Sequence, residues 1–279
     1  MRRTVPTILI AVALTATSTA AAGAAPNGLP IGTPGTSIVG TPGNDTLTAT
    51  LPGDELFGEA GDDLLTALPS GTYVEAGPGN DTLNGGRGFD LLYAGTGDDK
   101  VNGGGSTDNV YAGPGADEVI AGAGNDFVLG QNGDDRLFGG QGRDGLRLGS
   151  GTNFADGGSG RDAISAVGGQ STILGGSGSD VVTASLGTFV VRGNSGKDRI
   201  RTGEGNDQVS GGGDADGIAT GGGDDTVDVR DNTSDRVYCD GGNDTVYADQ
   251  ADILKDCENV VFGAPPNRGG SPPVKPSAP

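Results

Sequence analysis

Aspartate returns at every ninth residue over most of this chain. Written in nines from Gly40, the phase holds to Asp228 without an inserted or deleted residue, which is 21 consecutive units. Val229 breaks the phase, two more units follow at Arg230–Tyr238 and Cys239–Tyr247, and a degenerate unit, Ile31–Val39, precedes them. The sixth position is Asp in 19 of 23 units and the fourth is Gly in 18 of 23. A carboxylate at a fixed place beside glycines, which permit unusual φ values, points to a turn built around a ligand. With 37 acids against 17 bases and a net charge of −20, the natural ligand is a cation. Nucleic acid and anionic membrane are disfavoured as partners, because phosphate contacts need clustered Lys or Arg.

The elements that position such a turn follow from the other places in the nine. The eighth position is Leu, Val or Ile in 22 of 23 units, with Ala155 the exception, and so strict a residue type faces a core. Helix is excluded, since glycine is poor in helices and a period of nine carries no 3.6-residue apolar face. Each unit reads as a six-residue glycine-rich turn followed by a three-residue strand whose middle side chain points inward. Two units make one coil with a strand on each side, so residues 18 apart stack at ~4.8 Å. With 57 Gly, one Met and no Trp or His, a conventional close-packed core is not expected; one aliphatic residue per unit forms a thin ladder instead.

Consecutive units such as AGPGNDTLN, GGRGFDLLY and AGTGDDKVN resemble the nonapeptides of the RTX, or haemolysin-type, calcium-binding repeat family, with pattern G-G-x-G-x-D-x-U-x. The resemblance covers roughly Gly40 to Tyr247. It implies an all-β fold, a right-handed parallel β-roll (β-solenoid) with two units per coil, and Ca2+ held in the turns by backbone carbonyls and the sixth-position aspartates. Carried over unit by unit, the implied ligands are Asp45, Asp54, Asp63, Asp81, Asp90, Asp99, Asp108, Asp117, Asp126, Asp135, Asp144, Asp162, Asp180, Asp198, Asp207, Asp216, Asp225, Asp235 and Asp244. Ca2+ takes six to eight hard oxygens, whereas Mg2+ keeps its waters and fits such carbonyl cages poorly. Thr72, Asn153, Ser171 and Phe189 replace the aspartate in four units. The last three fall on one side of consecutive coils, so a calcium-poor flank is expected between about Leu148 and Arg192. Asp235 is the weakest of the set, because Arg230, Asp231 and Thr233 replace all the glycines of its unit. Stacked carboxylates repel one another, so the chain is expected to stay open without calcium and to close on binding it.

The ends carry other instructions. MRRTVPTILIAVALTATSTAAAGAAP has a basic start, an apolar run too short to span a bilayer and a small-residue cleavage site, and reads as a secretory signal peptide over residues 1–24. Residues 25–39 form a lead-in that includes the degenerate unit, and 40–247 the repeat. Cys239 and Cys257 lie 18 residues apart, one full coil if the phase persists, which suits a disulfide in an exported protein. Two free thiols and a metal pair are the alternatives. Residues 248–262 lack the glycines and read as a cap, and 263–279 read as a disordered Pro-rich tail. An N-terminal export signal departs from the family's usual C-terminal one.

Enzyme chemistry finds little support. Without His, the Ser-His-Asp and Cys-His constellations are impossible. Asp62-Asp63, Asp98-Asp99, Asp134-Asp135 and Asp224-Asp225 are the fifth and sixth positions of units rather than acid-base pairs. Outward Thr is irregular, as at Thr46, Thr82, Thr172 and Thr226, so the Thr ladder of ice-binding solenoids is missing. One surface feature stands apart: Phe57, Tyr73, Leu91, Tyr93, Tyr111, Phe127 and Leu129 line one outer face. It reads either as cross-strand stacking or as a docking face through Phe57, Tyr93, Tyr111 and Leu129. Two functions follow: a secreted calcium-binding protein that folds on binding several ions, or an extracellular adhesive or cell-surface structural protein in which calcium only rigidifies a rod.

Overall fold

Alternation along an extended chain puts positions six, eight and one of the next unit on the same side. The sequence therefore has only one way to bury its strict aliphatic position, which is to turn all three of these places inward. The computed structural model describes residues 35–263, and their regular structure is entirely β. The stretch read as a signal peptide, residues 25–34 of the expected lead-in and the expected tail from residue 264 lie outside the described residues. Two sheets of thirteen strands face each other. The first runs from Ser37–Val39 to Ile253–Lys255 and the second from Thr46–Thr48 to Asn259–Phe262. The chain alternates between them, and every paired strand is parallel, in the register Leu92↔Val110, Val101↔Val119 and Val128↔Leu146. The fold is a parallel β-solenoid of about 13 turns, two nonapeptides to each.

The strands are longer than the expected three residues. Leu91–Thr96 and Phe127–Asn132 each have six, and Thr152–Gly160 has nine. They run on into the glycine segment because successive glycines stack directly, as Gly77↔Gly95 does. Gly95 has φ +120°, and a Cβ there would overlap the Gly77 carbonyl. Glycine is thus needed both for the dihedral and for the close approach of coils.

The core is also thicker than one aliphatic ladder. Leu56, Leu65, Val74, Leu83, Leu92 and their successors are fully buried at position eight. A second ladder fills position one, where Ala76, Ala94, Ala112, Leu148, Ala166 and Ala184 are buried in the first sheet. Phe189, at a sixth position, is buried completely. Val229 does not sit outside the pattern: it occupies a first position with 1% exposure, and the extra residue is absorbed in the following turn. Ladder partners across that turn are 19 residues apart, as in Asp216 to Asp235. Arg230 closes the turn with two bonds to the Asp228 carboxylate, at 2.9 and 2.6 Å, and lies over the Tyr247 ring.

Cys239 also falls at a first position, and Cys257 lies one place beyond the residue in register with it, since the last strands pair as Val237↔Leu254 and Tyr238↔Lys255. Cys239 and Cys257 are bonded, with Cα atoms 5.2 Å apart. The bridge ties the last layer to the one before it. The residues after Tyr247 do more than cover the end, since Ile253–Lys255 and Asn259–Phe262 add a strand to each sheet. Closing a loop of this size contributes ~3 kcal/mol in the chain-entropy account. Replacing both cysteines by serine is expected to lower the calcium-loaded fold's stability by about that amount. Hydrogen exchange locates the effect: faster exchange at Ile253–Phe262, with the amides around Val128 unchanged.

The outer aromatic stripe is a stack. Rings meet in sequence along the first sheet, Phe57–Tyr73 at 5.7 Å, Tyr73–Tyr93 at 5.7 Å, Tyr93–Tyr111 at 4.6 Å and Tyr111–Phe127 at 6.1 Å. All five are half-buried, as are Leu91 and Leu129. The cross-strand reading describes this face, with each ring covering its neighbour.

Candidate metal centre

Position six faces inward, two residues before the aliphatic ladder, so its side chain lies at the edge of the core where the strand leaves the turn. Asp63, Asp81, Asp90, Asp99, Asp108, Asp117, Asp126, Asp135, Asp144, Asp162, Asp180, Asp198, Asp207, Asp216, Asp225, Asp235 and Asp244 are all buried. One carboxylate oxygen is used the same way throughout. Oδ1 accepts the backbone N–H of the sixth residue one coil earlier, as from Asp81 to Asp99 at 2.8 Å and from Asp108 to Asp126 at 2.7 Å. Two such ladders climb the molecule, one on each sheet.

The second oxygen is different. In sixteen of these aspartates, Asp235 being the exception among those named, Oδ2 is buried without a hydrogen-bond partner. Polar atoms are rarely left so, and a charged one is costlier than a neutral one. The surroundings are oxygen-rich. Where a Cβ would stand on Gly139, the Gly157 carbonyl is 2.6 Å away and Asp144 Oδ2 is 2.7 Å away; on Gly175 the Gly193 carbonyl and Asp180 Oδ2 lie at 2.7 and 2.9 Å. A carboxylate oxygen and a carbonyl from the next coil thus converge on the bare side of a first-position glycine. Among the described residues no three Asp, Glu or Cys side chains come together. A layer supplies at most one sixth-position carboxylate per sheet, so backbone carbonyls and water complete any cation's shell. This donor set of hard oxygens fits calcium.

Burial pushes these carboxyls up, neighbouring carboxylates add to it, and the N–H bond works against it. Asp81, Asp108, Asp117, Asp135, Asp144, Asp198 and Asp207 rise to about 6. Asp90, Asp99, Asp162 and Asp235 rise to about 7, and Asp216 to about 8. Without a counter-ion, burial thus favours the protonated form of these carboxyls over the charged one.

The N-terminal units depart from this. Asp54 accepts N–H bonds from Thr36, Thr50 and Leu51, which hold its carboxyl well below the usual range. Both its oxygens are occupied by the protein, unlike those further along. Asp45 is half-buried, and its Oδ2 accepts from the Thr41 N–H. The flank expected from Leu148 to Arg192 has a clear geometry. Asn153, Ser171 and Phe189 pair in register in the second sheet. Asn153 Oδ1 replaces the carboxylate as acceptor for Asp135 at 2.8 Å, Ser171 Oγ accepts from Asn153 at 3.4 Å, and the Phe189 ring supplies no oxygen. The first sheet keeps Asp144, Asp162, Asp180 and Asp198 across the same layers.

Three features escape the nines. Asp252 and Glu258 extend the two ladders into the cap, accepting from Asp235 and Asp244. They stand 17 and 14 residues after those partners, but each precedes an aliphatic residue by two, and that short pattern could have found them. Fifth-position residues form an outer ladder of opposite sense. Asn80 donates to Asp62 Oδ1, Asp98 to Asn80 Oδ1 and Ala116 to Asp98 Oδ1. The adjacent Asp pairs of the sequence therefore divide, one residue bonding outside the turn and the other inside.

A family model described as "RTX calcium-binding nonapeptide repeat (4 copies)" matches residues 39–68, 75–110, 111–146, 156–188 and 192–227. Among solved structures, the chain is similar to a hyperactive, Ca2+-dependent, β-helical antifreeze protein from an Antarctic bacterium. That match has 21% identity and TM-score 0.35, and covers 82% of this chain and 78% of the other. No curated protein matches it.

Proposed function

We propose, from the premise that this chain belongs to the RTX calcium-binding nonapeptide repeat family, that it is a secreted protein that folds on binding several Ca2+ in its turns. The observation that carries the reading is the set of sixteen buried Oδ2 atoms with no partner. Calcium, when bound, supplies the positive charge those oxygens lack; the chain supplies the carboxylates, stacked carbonyls and the glycines that let coils approach. The charge of −20 opposes collapse until that neutralisation occurs. Extracellular calcium modules bind at roughly 10⁻⁴ to 10⁻³ M, so the chain stays open at cytosolic calcium and closes after export. The basic and apolar N-terminus supports export, and the disulfide suits an oxidising compartment.

The test is far-UV circular dichroism of the mature chain, from about Ala25, titrated with calcium out of chelator with magnesium as control. A cooperative coil-to-β transition with calcium alone is the expected outcome. A spectrum already β-rich in chelator and indifferent to calcium would overturn folding on binding and leave a rod that calcium only stiffens.

A further inference from the structure

Four of the 17 basic residues surround one depression of about 340 Å3 on the outside of the solenoid. Arg161 and Lys197 are fifth-position residues two layers apart, with Ser179 between them. Arg199 and Arg236 are seventh-position residues two layers apart, with Gly217 between them in the register Arg199↔Gly217↔Arg236. The alternation makes the hollow: layers are ~4.8 Å apart, so a small residue in the intervening layer leaves cations about 10 Å apart across a gap. All four cations are exposed, while Ser179, Ala215 and Gly217 are half-buried between them. Asp180, Asp198 and Asp216 also line the place, but their side chains are turned inward and at most 4% exposed.

None of the four pairs with an acid of the described residues. Among the described residues the ion pairs are Arg230–Asp228 and Lys255–Asp256, and neither is near the hollow. Arg161 Nε donates to the Ser179 carbonyl at 3.2 Å, which fixes its guanidinium beside the hollow. In a chain with more than twice as many acids as bases, four unpaired cations around one concavity form a local field opposite to that of the whole.

We propose that this depression binds the oxyanion of a sulfate or phosphate monoester carried on a sugar. Guanidinium forks pair with tetrahedral oxyanions through two parallel bonds; Lys197 and Arg199 share the middle layer and would hold the oxyanion, with Arg161 two layers to one side and Arg236 two layers to the other reaching in from its flanks. The volume reaches the range of small-molecule sites and exceeds what a bare inorganic anion fills, leaving room for a sugar ring. Val181 is the only aliphatic side chain larger than Ala in the lining, so an apolar ligand gains little there.

The site is tested by calorimetric titration of the calcium-saturated chain with glucose 6-sulfate and with glucose 6-phosphate, using glucose and acetate as blanks at matched ionic strength. One or both esters are expected to bind and the blanks not, and the preferred ester identifies a sulfated or a phosphorylated source. The R199A/R236A pair and, separately, K197A are expected to weaken binding, the pair by tenfold or more. R87A/K100A, which removes the same charge from exposed residues several layers away, leaves it unchanged. Dichroism of each variant in calcium verifies its fold. Absence of ester binding by the folded wild-type chain, acetate binding as strong as either ester, or equal losses in R87A/K100A would overturn the proposal.

Discussion

In chelator, lowering the pH from about 7.5 to about 5 is expected to return much of the β-structure that the metal-free chain lacks at the higher pH. Burial raises the ladder carboxyls in the fold, Asp99 to about 7 and Asp216 to about 8, against an ordinary value of 3.8. A carboxyl whose folded pKa lies above its unfolded one binds more protons folded than unfolded. Its charged form therefore opposes folding above the folded pKa. That opposition fades as pH falls through the 6 to 8 window and is gone below the unfolded value. Twelve ladder aspartates reach about 6 or above, so the transition is steep. With calcium the slope reverses, because the ion takes the deprotonated oxygens and expels protons on binding. The same protein is thus expected to fold by acid without calcium and to lose calcium affinity by acid with it. Far-UV dichroism against pH, with and without chelator, reads both; an unfolded chain at about pH 5 in chelator would show that protonation cannot replace the ion.

Position eight was legible in the sequence because its residue type is strict, and position six because Asp recurs beside Gly. Position one was not. Ala94, Leu148, Thr202 and Cys239 share that buried place, and what unites them is geometry, two residues beyond the aliphatic in an extended strand. The sheets' lengths were underestimated for a related reason: glycine weakens a strand by propensity, yet Gly77 on Gly95 pairs as a strand, where a Cβ on Gly95 would overlap the Gly77 carbonyl. Asp252 and Glu258 were hidden by a phase that contracts in the cap. The basic hollow was invisible to any linear reading, since Arg161, Lys197, Arg199 and Arg236 become neighbours only when residues 18 or 19 apart are stacked. Net charge disfavours a polyanionic partner, but a sum over the chain says nothing about where its few cations gather.

Asn153 points to the second large effect. Its Oδ1 accepts from Asp135 with the same 2.8 Å bond that the ladder aspartates make, so an amide fits the place, while its Nδ2 is buried without a partner. Replacing Asp90, Asp108, Asp126 and Asp144 together by Asn should therefore keep the ladder and remove four of the charges that oppose the metal-free fold. The sign is decided by comparing costs. A buried unpaired neutral amide group costs ~1–3 kcal/mol, whereas an unpaired buried charge costs several kcal/mol per group. In chelator at neutral pH the fourfold variant is expected to hold more β-structure than the parent. In calcium the order inverts, because the variant offers the ion fewer anionic oxygens and binds fewer ions. Replacing the same four by Ala removes the Oδ1 acceptor too, orphaning the N–H groups of Thr72, Asp90, Asp108 and Asp126 that now donate to them, and should weaken the fold in both conditions. Thermal unfolding of the three chains in calcium and in chelator, with bound calcium counted by equilibrium dialysis, separates charge from hydrogen bonding. If the Asn variant is weaker than the parent in chelator, carboxylate repulsion is not what keeps the metal-free chain open, and the thinness of the core would have to be.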